Sequence, residues 1–180
     1  VGPEDPLAAG LANRLRDAGV AVFGPSARAA QLEASKTFAK EFMERHEIPT
    51  AAYRSFTSLK EAEDFVQNQG GPCVVKADGL AAGKGVVVCD GPGDARMALR
   101  EMMSDRRFGN AGTRVVVEER LLGEEASYYA ITDGERIVTL AAAQDHKRAF
   151  DGDEGPNTGG MGCICPATNL NAETLEHIVR

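Results

Sequence analysis

The sequence predicts a mixed α/β fold, and three observations carry that expectation. Helix-period segments alternate with short β-branched runs along most of the chain. Two apolar runs, "CVVKA" and "GVVVC", flank a glycine-rich loop. An Asp133-Gly134 pair separates two further strand-like runs, a strong hairpin signal. With 180 residues, 43% of them hydrophobic, the chain is long enough for a buried core and one to two domains.

The elements follow in order. "VGPEDPLAAGLANRLRDAGVAVFGP" reads as loop, helix and strand: Leu7, Leu11 and Leu15 recur at helical spacing, Gly19 stops the helix, and "VAVFG" forms a short strand. "SARAAQLEASKTFAKEFMERHEIP" is helical with a break near Ser35, and Pro49 ends it. A strand follows at residues 52–56. Ser58-x-x-Glu61 is a capping box for the helix "LKEAEDFVQNQ", closed by Gly70-Gly71-Pro72. After the two strands around the glycine loop, "DARMALREMMSD" is helical and "TRVVVEERL" is a strand running into a bend. Residues 145–166 are polar and glycine-rich without periodicity, and read as a long loop, a kind that in a compact domain is functional or else disordered. "NAETLEHIV" opens a last helix with Asn171 at its N-cap.

Composition narrows the function classes. The formal net charge is −7, which disfavours general binding to nucleic acid or anionic membrane but leaves room for a local anion pocket. No apolar run approaches the roughly 18 residues of a membrane span, and the N-terminus lacks a basic-then-apolar leader pattern. Of the four cysteines, Cys73 and Cys89 lie in strand-like runs as small buried hydrophobes. Cys163 and Cys165 form a C-x-C that is weak evidence for zinc. The set suits a reducing cytosol. The first residue is not Met and the last residues are helical in pattern, so the sequence reads as a piece of a longer protein.

Three constellations point to chemistry. The first is "KADGLAAGKGVVV", residues 76–88. It is no Walker A loop: three residues separate Gly79 from Gly83, Gly85 follows Lys84, and a β-branched run stands where a helix is required. A glycine loop between strands can still lie over phosphates, with backbone amides as an anion nest and Lys76 and Lys84 as cations. The alternative is an ordinary hairpin with solvated lysines. The second is "VVVEERLLGEE". A strand edge can read adenine through its backbone, and a carboxylate a few residues on can take both ribose hydroxyls. Glu118, Glu119, Leu121 and Glu125 have that spacing, as would a solvated acidic turn. The third is "QDHKRAFDGDEGPNTGGMG", in which Asp145, His146, Lys147 and Arg148 lead into exposed glycines with Asn157 and Thr158. It suits a second anion or a small polar substrate, or else a flexible surface loop.

Together "VGPEDPL", "FGPS", "AAQLEASK", "VVKADGLAAGKGV", "VVVEERLLGEEASY", "QDHKR" and "GPNTGGMG" resemble the glycinamide ribonucleotide synthetase (phosphoribosylamine–glycine ligase) family of the ATP-grasp superfamily, in family order from Val1 to about Pro166. The resemblance implies an ATP-grasp fold fragment preceded by a remnant of an N-terminal α/β domain. The implied boundaries are 1–25 for the remnant, 26–48 for a helical linker, 49–119 for the ATP-grasp lid subdomain, and 120–180 for the first part of the larger subdomain, with ATP between the last two. It implies ATP-dependent joining of glycine to 5-phosphoribosylamine through glycyl phosphate in purine biosynthesis. Rival readings are another ATP-grasp ligase or carboxylase, or a non-catalytic nucleotide-binding module.

Carried over by position, Lys36 and Lys76 contact ATP phosphates, and Gly83, Lys84 and Gly85 form the lid over them. Glu118 meets the adenine amine, Glu119 and Leu121 offer backbone bonds to the ring, and Glu125 binds ribose. Asp145, His146, Lys147 and Arg148, with Pro156, Asn157, Thr158, Gly159, Gly160 and Met161, shape the site for glycine and phosphoribosylamine. The Gly2-Pro3-Glu4 turn lies near the phosphoribosyl end. Mg2+ is the implied metal, with Mn2+ as alternative, and its ligands are expected after Arg180. The resemblance further implies a cytoplasmic enzyme with small-molecule partners, fused in some forms to other purine enzymes. "GCICPATNLN" departs from the family pattern by its two cysteines.

Overall fold

The computed structural model describes residues 3–81, 84–152 and 154–179. The chain divides into two compact units, Val1–Leu121 and Leu122–Arg180.

The first unit begins with helices. The single helix expected around Leu7, Leu11 and Leu15 is two, α1 (Glu4–Ala8) and α2 (Leu11–Asp17). Gly10 between them sits at φ 83°, a left-handed conformation that costs glycine least and that interrupts the helical ladder. "VAVFG" is not a strand. Its alternation is strand-like, but no described segment pairs with it, and an unpaired strand leaves its backbone groups without ladder partners. The helical stretch that follows breaks where expected, into α3 (Gln31–Ala34) and α4 (Lys36–Arg45). Ser35 between them is extended, and its hydroxyl accepts from the Phe38 amide as the N-cap of α4.

The rest of this unit is a four-stranded antiparallel sheet in the order β1 (Tyr53–Phe56), β4 (Val115–Glu119), β2 (Cys73–Ala77), β3 (Val86–Cys89). Helices α5 (Leu59–Gln69) and α6 (Pro92–Met103) complete it. The Ser58 hydroxyl accepts from the Glu61 amide, as the capping box predicts. Period-two alternation then sorts the sheet. Phe56, Cys73, Val75, Ala77, Cys89, Val115 and Val117 are buried with Ala62 and Val66 of α5 and Ala95, Ala98, Leu99 and Met102 of α6. The opposite face carries Val74, Lys76, Val116 and Glu118, paired by register as Val74 with Glu118 and Lys76 with Val116. Lys76 and Glu118, two of the polar residues singled out from these strands, therefore share the face opposite the core.

The second unit is built from hairpins. β5 (Ala130–Thr132) and β6 (Ile137–Thr139) flank the Asp133-Gly134 turn. Asp133 accepts from the Glu135 and Arg136 amides, which hold its carboxyl below the usual range. Residues 145–166 are not a loop, as their lack of periodicity suggested. β7 (Gln144–Phe150) and β8 (Glu154–Ile164) pair antiparallel across most of them. Glycine-rich strands show no side-chain alternation, so backbone pairing forms here without a sequence period to announce it. The final helix, α7 (Ala172–Val179), is capped by the Asn171 carboxamide accepting from the Thr174 amide.

Candidate functional site

In the first unit the glycine loop between β2 and β3 is pinned at its base. The Ala77 amide donates to the Gly85 carbonyl at 2.8 Å, and the Asp78 amide to the Arg114 carbonyl at 3.0 Å. A Cβ on Gly79 would lie 2.9 Å from Ala111, and one on Gly85 2.7 Å from the Ala81 Cβ. These glycines are thus required by close packing of the chain, whatever else the loop approaches. The amides of Gly79 and Lys84 are already bonded, to the carbonyls of Ala111 and Ala81. Gly83 lies outside the described residues, and Lys84 is exposed.

Asp78, a residue the motif reading passed over, ties this loop to α4. Its carboxylate accepts from the Thr37 amide at 2.6 Å and from the Ser35 hydroxyl at 3.1 Å, and its carbonyl accepts from the Lys36 amide at 3.0 Å. An acid at the first turn of a helix suits the exposed amides and the helix dipole. The result is that Lys36, first residue of α4, stands over the loop, with Nζ donating to the Gly79 carbonyl at 3.1 Å. Burial lowers the Lys36 pKa, Asp78 opposes that shift, and Lys76 adds to it. Glu4, Glu33, Lys36, Leu80, Gly85 and Val86 line a pocket of about 130 Å³ beside it.

On the adjoining sheet face, Lys76 Nζ donates to Glu118 Oε2 at 2.8 Å. Lys40, one helical turn after Lys36, reaches the same oxygen at 3.3 Å. The Lys40 and Glu118 side chains are only 7% and 6% exposed, against 27% for Lys76. Sequence reasoning missed Lys40. The available signal was its i, i+4 spacing from Lys36, which puts both on one helix face. Three lysines thus gather around Glu118 and Asp78, with Glu33 also acting on Lys36. Glu119 is exposed, with its amide on the Ala52 carbonyl at 2.8 Å, and Leu121 is exposed as well.

In the second unit the two segments of the third constellation come together as the strands of one hairpin, with His146 opposite Gly162 and Asp145 opposite Cys163. Lys147 Nζ donates to Glu125 Oε1 and lies 3.8 Å from Asp145 Oδ2. The bond to Glu125 is the main cause that raises the Lys147 pKa. The Thr158 hydroxyl donates to the Lys147 carbonyl at 2.9 Å and accepts from the Gly160 amide at 3.1 Å. Arg148 Nη1 donates to the Gly155 carbonyl at 2.6 Å. His146, Arg148, Phe150, Gly152 and Met161 line a cavity of about 310 Å³. Gly159 is exposed, and the side chains of Pro156 and Asn157 lie outside the described residues. Of the expected Gly2-Pro3-Glu4 turn, Gly2 also lies outside them, Pro3 precedes α1, and Glu4 is its first residue.

Cys73 and Cys89 are buried and directly opposed across β2 and β3, while Cys163 and Cys165 are exposed. Among the described residues no group of three or more His, Cys, Asp or Glu side chains could hold a metal. No described helix is long and apolar enough to cross a membrane.

Comparison with known proteins divides the chain elsewhere, after residue 33. Residues 34–180 match the family model described as phosphoribosylglycinamide synthetase, ATP-grasp (A) domain, and residues 1–33 match the N domain of that synthetase. A phosphoribosylamine–glycine ligase of Pseudomonas aeruginosa is 52% identical over 179 residues, covering 99% of this chain and 42% of the relative. The trifunctional purine biosynthetic protein adenosine-3 of Bos taurus is 56% identical over 176 residues, covering 97% of this chain and 17% of its own. A crystal structure of a phosphoribosylamine–glycine ligase from Thermotoga maritima superposes with a TM-score of 0.75 at 38% identity, over 88% of this chain and 40% of that one. The chain thus spans less than half the length of these relatives.

Proposed function

The chain belongs to the phosphoribosylglycinamide synthetase family, and from that premise we propose that it serves the ATP-dependent joining of glycine to 5-phosphoribosylamine. The activity is that of the whole protein, to which this stretch contributes a phosphate-binding face and a substrate hairpin. The observation that carries the reading is the cluster of Lys36, Lys40 and Lys76 around Glu118 and Asp78, beside the loop between β2 and β3.

The chemistry explains why such a face is needed. A carboxylate is a poor acyl donor until one oxygen becomes a good leaving group. Attack of the glycine carboxylate on the γ-phosphorus of ATP gives glycyl phosphate and ADP. The amine of phosphoribosylamine then attacks the acyl carbon, forms the amide and releases phosphate. Phosphoryl transfer asks mainly for positioning and charge neutralisation. Lys36 and Lys76 supply it: each spends one of three ammonium donors on the protein, which leaves two for phosphate oxygens. Lys84 and the loop from Gly83 to Gly85 cover the phosphates. Glu118 takes the adenine amine, the backbone at Glu119 and Leu121 takes the ring edge, and Glu125 takes the ribose.

Asp145, His146, Lys147 and Arg148, with the facing 156–161 strand, hold glycine and phosphoribosylamine. Magnesium, or manganese in its place, would neutralise phosphate charge. In this reading its protein ligands follow Arg180. We place the protein in the cytoplasm with small-molecule partners, in some forms fused to other purine enzymes as the trifunctional relative is by name. The domain limits 1–25, 26–48, 49–119 and 120–180 belong to the same proposal.

The test uses the full-length protein. Lys76→Ala weakens ATP binding in calorimetry by about 1–3 kcal/mol, the scale of a charge-assisted contact. Phosphate release from ATP requires glycine and phosphoribosylamine together and is not triggered by bicarbonate. Unchanged affinity in a folded Lys76→Ala protein removes the phosphate assignment. Release driven by bicarbonate moves the protein to the carboxylases.

A further inference from the structure

Among the three lysines of this cluster, Lys40 is the most enclosed and the most fully engaged by the protein. Its ammonium donates to the Thr50 hydroxyl at 2.7 Å and to the Ala51 carbonyl at 3.1 Å, and it pairs with Glu118 Oε2 at 3.3 Å. It also lies 5.5 Å from the centre of the Tyr53 ring. An ammonium has three N–H groups; two of them hydrogen-bond to Thr50 and Ala51, and the Glu118 carboxylate neutralises the charge. Lys40 is therefore ill placed to serve a phosphate. A cation this deeply buried must still be accounted for, because taking it out of water is costly unless it is paired and fully bonded.

The pairing is asymmetric at Glu118. Lys40 and Lys76 both converge on Oε2. Oε1 accepts no hydrogen bond among the described residues, yet it is not a buried orphan. One oxygen is held from two sides while the other stays open. An ionised carboxylate can only accept. Its open oxygen is complementary to an amino group and repelled by a carbonyl at the same place.

We propose that Lys40 is a positioning residue for base selection: anchored by Thr50 and Ala51, it fixes Glu118 Oε2 so that Oε1 meets the 6-amino group of an adenine and rejects a 6-oxo purine. The inference rests on the nucleotide reading above and adds the residue that orients the selecting group. Lys76 cannot do this alone, since it is more exposed and has donors committed to a ligand in that reading.

The full-length protein is titrated with ATP and with inosine triphosphate, and the ratio of the two dissociation constants is the readout. A general loss of fold or phosphate affinity moves both constants and leaves the ratio alone. The wild type favours ATP by on the order of 100-fold, the scale of one hydrogen bond to a charged group. Glu118→Gln loses most of that preference. Lys40→Met brings it below about 10-fold, as expected when the selecting carboxylate loses its orienting partner. Should Lys40→Met not fold, Thr50→Val decides, because it removes the anchoring hydroxyl, keeps every charge, and lowers the ratio about threefold or more. If Glu118→Gln loses the preference while Lys40→Met, or Thr50→Val in its place, keeps it, the role of Lys40 is overturned and the nucleotide reading stands. If the wild type binds both nucleotides equally, or Glu118→Gln keeps the preference, the adenine assignment of Glu118 fails and this inference falls with it.

Discussion

The two units reach order by different means. The first buries a contiguous core between one sheet face and two helices, with Val75, Leu99 and Val115 fully enclosed. In the second, Ala142 and Ala143 are the only buried apolar residues among those described, while Tyr129, Ile131, Ile137, Val138 and Leu140 stand exposed. Its order comes from backbone pairing in β5–β6 and β7–β8 and from side-chain bonds within the hairpins. Yet it carries as many candidate ligand residues as the first. A packed scaffold can hold charges such as Lys40 and Glu118 in fixed geometry. A hairpin holds its charges through exposed pairs such as Lys147 with Glu125.

The largest expected effect tests that contrast directly. Leu99→Ala in the first unit destabilises the protein by about 2–5 kcal/mol in denaturant unfolding, the cost of a cavity in a closed core. Ile137→Ala in the second, at 70% exposure, changes stability by less than about 0.5 kcal/mol. An Ile137→Ala loss as large as that of Leu99→Ala breaks the comparison, and means that β6 is covered by further protein in solution.

A middle-sized effect concerns how the first unit fixes its cations. Asp78→Ala removes the acceptor for the Thr37 amide and the Ser35 hydroxyl at the start of α4. Loss of such a cap costs about 1 kcal/mol. It also frees Lys36 from its place over Gly79, so nucleotide affinity falls together with stability. A variant with the same loss of stability and full nucleotide affinity would show that the cap holds the helix without positioning the lysine.

Much of the first unit was legible because its rules are local. "CVVKA" alternates between the core and the opposite face as its period dictates, the helical stretch breaks at Ser35, and Ser58 caps the helix it precedes, as Asn171 does in the second unit. The misreadings share a cause. "VAVFG" has a strand's pattern but no described partner strand, and pairing is a property of two segments. Residues 154–164 pair without a pattern, since glycine marks neither face. Lys40 looks like any helix-surface lysine until Glu118 of a distant strand is brought against it. Asp78 looks like a turn residue until α4 arrives above it. Motifs that carry their geometry within a few residues were readable, and contacts closed by the fold were not.

The smallest effect contrasts one lysine from each unit. Lys36 has its pKa lowered, first by burial, and Lys147 has its pKa raised, first by the bond to Glu125. Stability changes with pH in proportion to the difference in protons bound by the unfolded and native chains. For Lys36 the native chain releases its proton first, so its contribution to stability rises with pH in the window below the ordinary lysine value of 10.5. For Lys147 the native chain keeps its proton longer. Its contribution is full below 10.5 and is lost as pH rises above that value through the native pKa. Subtracting the unfolding curves of Lys36→Met and Lys147→Met from that of the wild type gives two difference curves of opposite slope. The Lys147 curve spans only a few tenths of a kcal/mol, because the pair with Glu125 is solvent-exposed, and it flattens further in 1 M salt. If both curves slope the same way, the two lysines sit in like surroundings, and the contrast between a buried scaffold and an exposed hairpin does not extend to their charges.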